Sequence, residues 1–203
     1  MIRRLLAATT AACASLLVAA GPSGVATAQP APRQIPEPGP VELHTEVRGA
    51  VITCDGESFT LDLTGTTVID VGVANGTVVA LTTTRLDLAG SSPDFGAVTI
   101  TASGAADGQL RLNSLLDPYP AQMDVGIRFV LEAELNPCAT GSTPLVLETS
   151  ATGTLSNADL AHFPPDGELF ELREAIVLTP PGGDPAVLQD YSAASMPTTY
   201  AVL

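Results

Sequence analysis

The chain has 203 residues, 45% of them hydrophobic and only 4% aromatic, with 22 acidic side chains against eight basic ones and a net charge of −14. So negative a balance excludes a role on nucleic-acid backbones or anionic lipid surfaces, which repel it. The absence of Trp, with only five Phe and three Tyr, argues against stacking platforms for sugars or single-stranded nucleic acid.

In chain order, the first predicted element is a leader. Arg3 and Arg4 precede Leu5–Ala20, a run of 16 residues without a charge, and Ala26-Thr27-Ala28 forms a small-x-small site before Gln29. A basic start, a short apolar stretch and an A-x-A exit describe a secretory signal peptide cleaved near Ala28. The localisation expected from it is secreted or associated with the cell envelope. Retention of the leader as an anchor is the alternative, although the run is shorter than the roughly 20 residues of a spanning helix. The arginine pair also hints at twin-arginine export. Cleavage removes two arginines and no acid, leaving six arginines against 22 acids and a charge of −16. No second apolar stretch is long enough to span a bilayer as a helix.

Residues 29–40 hold five prolines and are expected to be a disordered lead-in. From Val41 the pattern has period two. Val41, Leu43, Thr45 and Val47 alternate with Glu42, His44, Glu46 and Arg48, and Phe59, Leu61 and Leu63 alternate with Ser58, Thr60 and Asp62. The longest alternation runs from Met123 to Leu135, with odd positions apolar and Asp124, Arg128, Glu132 and Glu134 between them. Such alternation marks strands with one buried face. Asp55-Gly56, Asn75-Gly76 and Asp107-Gly108 have the chemistry of two-residue hairpin loops. Residues 91–94, 117–120 and 164–167 are longer breaks rich in Pro, Asp and Ser. Ala158–His162 and Leu169–Ala175 are short enough, and apolar enough, for a helical turn each. The predicted fold class is all-β, an antiparallel β-sandwich or small β-barrel of eight to ten strands. The β-domain is expected over 41–180, with a loosely ordered tail over 181–203.

After the leader two cysteines remain, Cys54 and Cys138. In an exported protein they are expected to form one disulfide, and neither lies in a C-x-x-C setting.

Chemistry is sparse. Glu42, His44 and Glu46 share one strand face, a carboxylate–imidazole–carboxylate row suited to a metal or a proton switch. Alternate positions lie about 7 Å apart, too far for all three to reach one ion unaided. His162 follows Asp159 by three residues and Ser156 by six, but no G-x-S-x-G elbow accompanies them. Asp166, Glu168, Glu171 and Glu174 are an acidic run without the order of a calcium loop. Glu132 and Glu134, two apart on one strand, cannot flank a sugar bond from opposite sides. Asn75-Gly76-Thr77 fits a glycosylation triplet and, better, a turn. No cofactor is called for.

The chain as a whole resembles secreted β-rich proteins of actinobacteria that have no assigned activity. The resemblance rests on the leader, the all-arginine basic set, and the stretches Ser92-Pro93-Asp94-Phe95-Gly96-Ala97-Val98-Thr99 and Pro118-Tyr119-Pro120-Ala121-Gln122-Met123-Asp124-Val125. It implies an exported β-domain and carries over no functional residue. The leading expectation is a non-catalytic domain that binds at or outside the envelope, with an envelope protein or a small apolar ligand as partner. The alternatives are a carrier holding a small apolar ligand in a barrel interior, a hydrolase or cyclase using His162 or His44, and a porin-like barrel.

Overall fold

The computed structural model describes residues 34–54, 56–138 and 143–180 and the backbone of residues 196–200. The chain separates into two units, Met1–Pro32 and Arg33–Leu203, and every described residue belongs to the second. The leader and its cleavage site lie outside the described residues, as do 181–195 and 201–203 of the tail.

The architecture is all-β and antiparallel. The strands are β1 (Gly39–Cys54), β2 (Glu57–Asn75), β3 (Val78–Ser92), β4 (Gly96–Ala102), β5 (Ala106–Arg111), β6 (Ala121–Ile127), β7 (Phe129–Ala133), β8 (Leu145–Thr149), β9 (Gly153–Leu160), β10 (Glu168–Leu172), β11 (Leu178–Thr179) and β12 (Met196–Tyr200). Ten of them, β1 to β10, fall at the upper bound expected from the alternation; the two-residue β11 and the tail strand β12 exceed it. β1 begins at Gly39, inside the proline-rich stretch, and Ile35 just before it packs against the core.

One run of the sheet has the order β11-β8-β7-β4-β3-β2-β1, the other β10-β9-β6-β5. They meet because β3 changes partner along its length. Val78–Thr83 pairs with β5, whereas Asp87–Ser92 pairs with β4. The sheet of β1 to β11 therefore curls back on itself without closing. Its open seam lies between β1 and β10, and the backbone of β12 occupies it, pairing with both.

The long strands reach across this curl by changing which parity faces inward. Leu43, Thr45 and Val47 are buried in the first half of β1, and Ala50, Ile52 and Cys54 in the second. The switch falls where the register against β2 slips between Val47 and Ala50, with Gly49 at φ 62°. One extra residue in one strand turns its inward set from odd to even positions. β3 does the same. Val79, Leu81 and Thr83 are buried, then Leu86 and Leu88, across a slip opposite Val68/Ile69.

Three expectations are corrected. The alternation from Met123 to Leu135 is two strands, not one. At Arg128 the chain leaves the β5–β6–β9 region and enters the β4–β7–β8 region, and the periodicity conceals this because the odd positions from Met123 to Ala133 stay buried on both sides, while Leu135 lies beyond β7 and is exposed. Asp107-Gly108 lies inside β5 rather than in a turn. There the two backbones pass so closely that a Cβ on Gly126 would stand 2.2 Å from the Asp107 carbonyl oxygen, so glycine is required. The segments expected as helical turns begin inside β9 and β10 and run past their ends, and no helix occurs among the described residues. The hairpin turns at Gly56 and Gly76 stand, with φ of 83° and 60°.

The Cys54–Cys138 disulfide is formed. It ties the end of β1 to the loop after β7, beside the edge-to-face pair of Phe59 and Phe95 (centroids 5.6 Å apart).

Candidate functional site

The inward set is almost wholly aliphatic, and it does not fill the curl completely. A gap of about 40 Å³ lies where the two runs of the sheet face each other, lined by apolar side chains from eight strands, among them Val47, Leu63, Leu88, Ile100, Phe129 and Leu155. A smaller gap of about 10 Å³ lies between Leu43 and Ile69 on one side and Met123, Val125, Leu155 and Phe170 on the other. Leu155 borders both gaps. The one polar lining group is Thr67, whose hydroxyl is paired with Thr45 at 2.8 Å. A ligand entering either gap displaces no polar contact. The two gaps together hold only a few atoms, against roughly 300–1,000 Å³ for ordinary ligand pockets.

The outer face carries a polar cluster that sequence reasoning missed. Asp124, only 4% exposed, receives Ser156 Oγ at 2.6 Å, Gln109 Nε2 at 3.2 Å, Gln122 Nε2 at 3.4 Å and Arg173 Nη2 at 2.7 Å. Burial alone pushes its carboxyl up. The donors from Ser156 and Gln109, the Arg173 charge and the Gln122 donor outweigh burial and hold it below the usual range. An ionised carboxylate committed to four donors is a poor general base. It joins β5, β6, β9 and the segment after β10. In the sequence Asp124 looks like any wet-face acid, because its partners lie on other strands.

The predicted candidates do not converge. Glu42, His44 and Glu46 do share the outer face of β1, but Glu42 turns to Arg85 and Glu46 to Arg48, while His44 is exposed. His162 is exposed with Nδ1 2.7 Å from the Pro164 carbonyl. Asp159 receives no contact from it, its backbone N–H donating to Asn157 Oδ1, and Ser156 belongs to Asp124. Glu168 binds the Ala161 amide and Asn157 rather than the other acids of its run. Among the described residues no three His, Cys, Asp or Glu side chains are grouped as a metal set.

One end of the molecule exposes apolar side chains. Leu115 (53% exposed) and Leu116 (98%) sit at the tip of a turn braced by Ser114 and Asp117 through backbone and hydroxyl bonds. The neighbouring hairpin, joined through the Leu112 N–H to the Thr77 carbonyl, exposes Val73 and Val78. Tyr119 follows, buried, its hydroxyl 3.5 Å from the Gln34 carbonyl. Burial pushes that hydroxyl up to about 12, against the pull of a hydrogen bond to the Phe163 backbone.

No protein-family model and no curated protein matches the sequence. Among solved structures, the chain is similar to DynF from the dynemicin biosynthesis pathway of Micromonospora chersina. The TM-score is 0.67 over 88% of each chain, at 17% identity. At that identity the likeness is one of fold.

Proposed function

We propose that the chain is a non-catalytic binding domain, working outside the cytoplasm, that holds a small apolar molecule inside its curled sheet. The observation that carries this reading is the pair of interior gaps sharing Leu155, lined by apolar side chains and one already paired hydroxyl. The fold likeness to a protein of a biosynthetic pathway is compatible with a ligand-handling role. A disulfide suits an oxidising compartment, in keeping with the leader. Because the gaps are small, a ligand of ten or more heavy atoms enters by swinging lining leucines aside, so affinity is limited by repacking rather than by polar recognition.

The test uses N-phenyl-1-naphthylamine, a neutral apolar fluorophore. The oxidised protein is expected to bind it one to one with a blue shift. Leu155→Ala enlarges both gaps at a cost of about 2–5 kcal/mol and is expected to bind at least fivefold more tightly. Leu155→Val, which costs less, is expected to shift affinity in the same direction. A folded protein in which neither variant nor parent binds the fluorophore contradicts the reading. The second reading, a domain that binds a partner at its surface, is favoured by the braced Leu115–Leu116 turn and would then stand.

A further inference from the structure

We infer that the seam between β1 and β10 is the way into the interior, and that the chain's own residues Met196–Tyr200 are the strand that shuts it; this rests on the interior-binding reading above. Both gaps border the seam. Val47 of β1 and Leu172 of β10 line the larger, and Leu43 of β1 and Phe170 of β10 line the smaller. No ladder joins β1 directly to β10 among the described residues.

Among the described residues β12 alone connects them. It contributes three residue pairs to β1 (Leu43↔Tyr200, His44↔Thr199, Thr45↔Thr198) and three to β10 (Glu168↔Thr198, Leu169↔Pro197, Phe170↔Met196). β1 and β2, by contrast, share fourteen. Pro197 has no backbone N–H and cannot donate to either neighbour. β10 is itself held to β9 by only two pairs, Glu171↔Ser156 and Leu172↔Leu155. Short ladders thus meet at the wall nearest both gaps, and short, weakly donating ladders open at low cost. An extended segment added to free strand edges is a recurring mode of peptide recognition; here the peptide is the chain's own C-terminal region.

The test locks the strand in the full-length protein. Directly opposed residues of antiparallel strands have Cα atoms about 4.5–5.5 Å apart, within disulfide range, and His44 faces solvent. His44→Cys with Thr199→Cys should therefore bridge β1 to β12 without filling the interior. The control is His44→Ser with Thr199→Ser. Disulfides are mapped by mass spectrometry of digests, and uptake of N-phenyl-1-naphthylamine is followed by stopped-flow fluorescence. The expected result is a 44–199 bond beside the native one and uptake at least tenfold slower than in the control, with equilibrium affinity within twofold. Failure of the 44–199 bond to form while Cys54–Cys138 does, or equally fast uptake in the locked chain, overturns the inference. A control that binds no fluorophore at all overturns the interior reading and the gate with it, whereas unchanged uptake kinetics overturn the gate alone.

Discussion

At the scale of single residues, Asp124 is the clearest coupling of sequence to stability. Its carboxyl is depressed in the folded protein, so its contribution is complete above the unfolded carboxylate range, about pH 4, and is lost as the pH falls through the lower folded value. Asp124→Asn keeps the shape, removes the charge that binds Arg173, and weakens the bonds from Ser156 and Gln109. A loss of about 1–3 kcal/mol at pH 7 is expected, shrinking toward zero near pH 2. Urea midpoints of parent and variant at both pH values measure it; a gap independent of pH would show that the charge is irrelevant. The two histidines, by contrast, are placed as surface groups, which no spacing along the chain reveals.

At the scale of elements, the disulfide has the largest expected effect. Cys54 and Cys138 are 84 residues apart, and linking them restricts the unfolded chain by about 4–5 kcal/mol in the loop-entropy view. Reduction is expected to lower the melting temperature by about 10 °C, measured by calorimetry with and without reductant; a change under about 2 °C would mean the bond constrains little. The strands themselves were legible from alternation wherever burial is one-sided, as in Val41–Val47 and Phe59–Leu63. What alternation hides is a change of partner. Arg128 interrupts nothing in the pattern, although the chain changes neighbours there, and the parity switches, at Gly49 in β1 and at Thr84 between the paired Thr83 and Arg85 in β3, carry no mark in the alternation. Asp107-Gly108 carries turn chemistry, yet Gly108 serves close packing of β5 on β6, a need that only the partner strand creates.

At the scale of the whole molecule, the interior was the least legible feature. The larger gap is assembled from eight strands, each contributing one or two apolar side chains indistinguishable from core. Composition did give its character, since a chain without Trp and with few other aromatics fills its interior with branched aliphatics that leave small voids and yield by rotation. Whether the sheet closes depends on β5 returning to β3 and on β12 reaching the seam, contacts remote in sequence that periodicity does not encode. The Asp124 brace ties strands of the β10-β9-β6-β5 run to one another, and the disulfide ties β1 to the loop after β7 within the other run, so neither tie crosses the apolar wall between β1 and β10.

The most direct measurement is native mass spectrometry of the protein purified from its source without denaturation, followed by denaturation in the same instrument. A single neutral apolar molecule bound one to one, released on unfolding and displaced by N-phenyl-1-naphthylamine, is the expected result. A protein that flies at its bare mass, and stays there after saturation with the fluorophore, would contradict interior binding.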